Sequence, residues 1–148
     1  MLRYLPIIVL LFTSDIHASE LPSSLYGIEL GKPINQIEHV TKARMKGLYS
    51  VKVREGQLVE PLHRLLVKVD KKTNIIVQII GEAEVSSLLC VNQAKKLKER
   101  YEEQYSISLE ERSHQGDLFF IVNKDKKFFF IGCENKRKTI LRVSLSDI

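Results

Sequence analysis

The apolar positions of this chain change their period along its length. Leu65, Val67 and Val69 alternate with Leu66, Lys68 and Asp70, and Ile75, Val77 and Ile79 alternate with Ile76, Gln78 and Ile80, on either side of the polar run DKKTN. A period of two is the mark of a strand with one face turned to a core. The pair therefore predicts a hairpin with one apolar and one mixed face. LYSVKVRE precedes it as another strand, with EGQLVEPL as a loop, because Pro61 has no N–H for a sheet ladder. After Ser86 or Ser87, either suited to cap a helix, the period lengthens. Cys90, Ala94, Leu97, Tyr101 and Tyr105 stand at steps of four, three, four and four, which aligns them on one side of an α-helix. Alternation resumes in ISLEER, DLFFIVN, KFFFIGC and KTILRVSLSDI, joined by the turns SHQG, KDK and ENKRK.

The first half carries a weaker echo of that order. SLYGIELG reads as a short extended piece. GKPINQIEHVTKARMKG follows it, with Pro33 suited to a first helical turn, Ile34, Ile37 and Val40 or Thr41 as a stripe, and Gly47 as a stop. The predicted fold is α+β: a tandem helix-plus-antiparallel-meander arrangement with the helices packed on one face of the sheet. In the last strand Thr139, Leu141, Val143 and Leu145 face the helices. A bond between Cys90 and Cys133 would turn Phe129, Ile131 and Cys133 the same way, and Leu118, Phe120 and Val122 join them. Phe119, Ile121, Phe128, Phe130, Ile140 and Arg142 are left on the far side. Aromatic rings beside an arginine on an open sheet have the composition of a protein-binding surface. Alternatively the first half's strands, the N-terminal segment or a second copy covers it, and a homodimer through this face would satisfy both readings.

The N-terminus sets the compartment. Arg3, an apolar run from Leu5 to Phe12 and the small residues Ala18 and Ser19 have the layout of a secretory signal, and that run is far shorter than the ~20 residues of a membrane span. Residues 1–18 are thus expected to be a cleaved leader and 19–148 a single exported domain, periplasmic or secreted, without stable membrane insertion. The chain's two cysteines, in an oxidising compartment, are expected to pair. The formal net charge of +5 suits an acidic partner or an envelope surface but is too dispersed for nucleic acid.

Nothing in the sequence implies a catalytic site, a metal or a cofactor. His39, His63 and His114 match no zinc spacing. Ser113 and His114 sit in the ordinary turn chemistry of SHQGD, and Glu82 with Glu84 lacks a second pair or an apolar pocket. Lys42, Arg44 and Lys46, like Lys136, Arg137 and Lys138, read as solvated cations at a helix end and in a turn. No phosphate-binding glycine loop is present.

The opening YGIELGKPINQI, with Gly27, Leu30 and Gly31, together with the cysteine on the helix and the cysteine on the strand, resembles the beta-lactamase-inhibitor-like group of small exported bacterial proteins. That resemblance implies an architecture and a manner of work, the binding of another protein by an exposed sheet face. The expected function is therefore non-enzymatic: an inhibitor of a hostile enzyme, or an immunity protein against a toxin acting in the envelope. An envelope assembly factor touching anionic lipid or polysaccharide and a small hydrolase are the alternatives.

Overall fold

A computed structural model of the chain describes residues 20–148, so the expected leader lies outside the described residues. The elements run β1 Ser24–Leu25, β2 Ile28–Glu29, β3 Val40–Lys42, β4 Leu48–Val51, β5 Arg64–Val69, β6 Ile76–Glu84, α1 Ser87–Tyr105, β7 Glu110–His114, β8 Asp117–Lys124, β9 Lys127–Asn135 and β10 Thr139–Asp147. β1 and β2 form a small hairpin. The other eight strands make one antiparallel sheet in the order β3-β4-β5-β6-β10-β9-β8-β7. The two halves of the chain therefore meet edge to edge, β6 against β10.

The α+β class holds, but the first expected helix does not form. Ile34–Gln36 is a single 3-10 turn, His39 has φ 56°, and Val40–Lys42 pairs with β4. The apolar spacing of Ile34 and Ile37 fits one tight turn as well as a helix, and both side chains pack against the core from it. Lys42, Arg44 and Lys46 thus lie at a strand end and in the β3–β4 connection, and α1 is the only α-helix among the described residues.

The core lies between α1 and one face of the sheet. The predicted helical stripe supplies Cys90, Ala94, Leu97 and Tyr101, all buried, and β9 and β10 answer with Phe129, Ile131, Cys133, Leu141, Val143 and Leu145. Burying one such aliphatic side chain stabilises by about 1.5–3 kcal/mol. Tyr101 packs its ring 5.4 Å from Phe129 and 5.9 Å from Tyr105. Ser86 caps α1 without a side-chain bond, and Ser106 ends it in the left-handed conformation. Cys90 and Cys133 form a disulfide, with sulfurs 2.11 Å apart, that ties the first turn of α1 to β9.

The β1–β2 hairpin also lies on the helix side. Tyr26 and Gly27 form its turn with φ of 55° and 77°, the paired positive values that a two-residue hairpin turn requires. The Tyr26 ring fills the space left by Gly81, where a Cβ would stand 2.7 Å from Tyr26 Cε2. Its hydroxyl lies 2.7 Å from that of Tyr101. Leu25, Ile28 and Leu30 complete the packing.

Candidate functional site: the uncovered sheet face

Register and alternation assign every residue of the opposite face. Phe119 stands across from Gly132, Ile121 from Phe130 and Asn123 from Phe128. Continuing over β10 and β6, one row across the sheet reads Ile121, Phe130, Ser144, Ile80, Leu66. The neighbouring row reads Phe119, Gly132, Arg142, Glu82, Arg64. A mainly apolar row, with Ser144 at its centre, and a row charged on β10, β6 and β5 thus run side by side, since residues opposite on adjacent strands sit about 5 Å apart.

The aromatic rings gather at the β8–β9 end. Phe119 and Phe130 stack with centroids 5.8 Å apart, and Phe128 lies 6.5 Å from Phe130. Gly132 makes this possible. A Cβ there would come within 2.7 Å of both Phe119 Cβ and Phe130 Cζ, so the Phe130 ring lies in the space a side chain would take. Phe119, Ile121, Phe128, Phe130 and Ile140 are each half-buried by their neighbours on the sheet alone. None of them packs against the core cluster.

The charged row is paired internally. Glu82 is 5% exposed, and its carboxylate accepts from Arg64 Nη2 at 2.9 Å and from Arg142 Nη2 at 3.1 Å. Arg142 also donates to Glu134. A buried carboxylate needs such donors, because without them its desolvation is uncompensated. The expected anchor Arg142 is thus already engaged by two carboxylates and forms the border of the aromatic patch. Glu84 points elsewhere, to Lys138 at 2.9 Å, so Glu82 and Glu84 form no paired site. Beyond the charged row, at the β9–β10 turn, Arg64, Glu84, Lys136, Arg137 and Lys138 surround Ile140 in a shallow cleft of about 550 Å³.

Of the possible covers for this face, the first half's strands are excluded: they extend the same sheet edge to edge. Among the described residues, α1, the β1–β2 hairpin and the loop bearing Leu58 and Leu62 all pack on the core side. Leu66 and Ile80 join the apolar row although the sequence reading did not single them out. Their signal was present in the mixed face of the β5–β6 hairpin, but it becomes informative only once β6 is known to sit beside β10. Leu88, 87% exposed, and Leu89, 55% exposed, form a smaller apolar spot on the first turn of α1 that the sequence reading also passed over.

Ser113 and His114 occupy an exposed edge strand, and the described residues hold no cluster of metal-ligating side chains. No described helix is long and apolar enough to cross a membrane. No protein-family model, no curated protein and no solved structure matches this chain.

Proposed function

We propose that this chain is an exported, non-catalytic protein that binds another protein through the Phe119–Phe128–Phe130 face of its sheet, serving in the periplasm or outside the cell as an inhibitor or an immunity protein. The observation that carries the reading is the cluster of Phe119, Phe128 and Phe130 beside Ile121 on β8 and β9, half-buried by its sheet neighbours and with no described element over it. Contiguous apolar surface of this kind is retained where a partner buries it, and rigid rings lose little entropy on being buried. The disulfide fits an oxidising compartment. The resemblance to the beta-lactamase-inhibitor-like group supports the same mode of binding. Beside Ile140, Arg64, Lys136, Arg137 and Lys138 outnumber the one carboxylate of that cleft, Glu84, and among the described residues Arg137 is in none of the ion pairs there, which favours a partner with an acidic rim.

A photoreactive phenylalanine analogue at position 128, in the exported protein in its own envelope, tests the reading. The expected result is one adduct with a different protein. Adducts only with residues 1–19 of the same chain, only with a second copy, or only with lipid would overturn it. Loss of the protein adduct at moderate salt, together with dependence on Lys136, Arg137 and Lys138, would move the reading to the anionic-surface alternative.

A further inference from the structure

The opposite side of the molecule carries a second concave surface. A cleft of about 760 Å³ opens between the β1–β2 turn, the loop after β4 and the C-terminal half of α1. Its walls are tied together. The Arg54 backbone N–H donates to Gln57 Oε1 at 2.9 Å, and Gln57 Nε2 donates to the Tyr26 carbonyl at 2.9 Å, which fixes the loop against the hairpin.

The floor is formed by two phenols. Tyr26 and Tyr101 share one hydrogen bond between their hydroxyls. Burial pushes both phenols up, Tyr26 well above its ordinary value and Tyr101 to about 12. Both therefore stay protonated at physiological pH. The positive charge of Arg100 acts against that rise at Tyr101, and Arg100 lines the cleft. Arg54 lines the same cleft. The arginines in ion pairs among the described residues are Arg64, Arg112 and Arg142. Arg54 and Arg100 each face the cleft without such a partner, against the single carboxylate of Glu55. Half-buried Tyr105, stacked on Tyr101, completes the wall.

Two guanidinium groups without ion-pair partners form a receptor for an oxyanion, and the tyrosine wall with the Gln104 side chain suits a polyhydroxylated ring. We propose that this cleft binds a small ring-bearing oxyanion, a sugar carrying a carboxylate or a phosphate. The site is separate from the sheet face and does not depend on the function assigned to it.

Titration of the disulfide-bonded mature protein by NMR with glucuronate, glucose 6-phosphate and neutral glucose tests the proposal. The expected result is saturable shifts of the Tyr101 and Tyr105 ring protons and the Gly56 and Gln57 amides with at least one of the two anions, and none with glucose. Response to glucuronate alone identifies the carboxylate, and response to glucose 6-phosphate alone the phosphate. Combined Arg54→Gln and Arg100→Gln substitutions, both at exposed positions, should weaken binding by about tenfold or more. Absence of shifts with both anions, equal shifts with glucose, or undiminished binding in the double variant would overturn the proposal.

Discussion

Opening the Cys90–Cys133 bond should remove a large part of this protein's stability. The two residues are 43 positions apart, and on the chain-entropy account a cross-link closing a loop of that length stabilises by about 4 kcal/mol. Typical domains have a total of about 5–15 kcal/mol. For a domain of this size the loss corresponds to a fall of about 15 °C in the melting midpoint. Cys90 and Cys133 are 1% and 3% exposed, so reductant should act slowly on the folded protein and quickly once denaturant opens the α1–β9 contact. Cys90→Ser and Cys133→Ser should cost nearly the same, since each removes the same cross-link from a buried site. Urea denaturation of the oxidised, reduced and substituted forms provides the measurement. Oxidised and reduced proteins within about 1 kcal/mol of each other, or two free thiols in the exported protein by mass spectrometry, would refute the reasoning.

Gly132→Ala places a methyl group 2.7 Å from Phe119 Cβ and Phe130 Cζ. It should cost about 1–3 kcal/mol and shift the Phe130 ring resonances; an unchanged protein would contradict the stacked arrangement. Glu82→Gln leaves Arg64 and Arg142 facing a neutral group and should cost about 1–2 kcal/mol in urea denaturation, less than a fully buried pair because Arg64 is half exposed. No change would mean the pairing is not retained in solution. The Asp70 carboxyl, which accepts from Thr73 and Lys72 amides, lies below its ordinary 3.8. Burial raises that of Glu102, but donation from Lys98 and the Leu109 amide outweighs it and brings the group below its ordinary 4.5. Both folded values lie below the unfolded ones, so this stabilisation is complete above the ordinary values and is lost as pH falls through the folded ones. The melting midpoint should therefore decline below about pH 4, and less steeply in an Asp70→Asn, Glu102→Gln double variant; an equal slope would contradict the assignment.

Strand facing in the second half could be read from the sequence because β8, β9 and β10 carry long alternating runs between short polar turns, and a single disulfide fixes which face is inward. The Asp125 and Lys126 turn, with φ of 53° and 60°, contains no glycine, yet its polar KDK run between two aromatic strands still marks it. The first half was harder. Ile34 and Ile37 satisfy helical spacing locally, whereas β3 is set by hairpin pairing with the next strand, Val40 with Val51 and Lys42 with Tyr49, which lies beyond the reach of a helical repeat. Similarly, Glu82 looked unpartnered in the sequence because Arg64 and Arg142 reach it across two different strands. The phenol pair of Tyr26 and Tyr101 joins residues 75 positions apart. Tyr101 was visible as part of the helical stripe; its partner was not.

The measurement that bears most directly on the sheet-face account compares the wild-type protein with a Phe128→Asp, Phe130→Asp variant, scoring both partner capture from the native envelope and thermal melting. Both rings lie on the face away from the core cluster, so the variant should lose the contacts among the rings, about 0.5–1.5 kcal/mol for each pair beyond area burial, and the partial burial of each ring by its sheet neighbours, and remain folded. The account predicts that the wild-type protein retains a distinct protein partner as a defined complex on size exclusion, and that the folded variant does not. A variant that unfolds, or one that folds and still holds the partner, would contradict it.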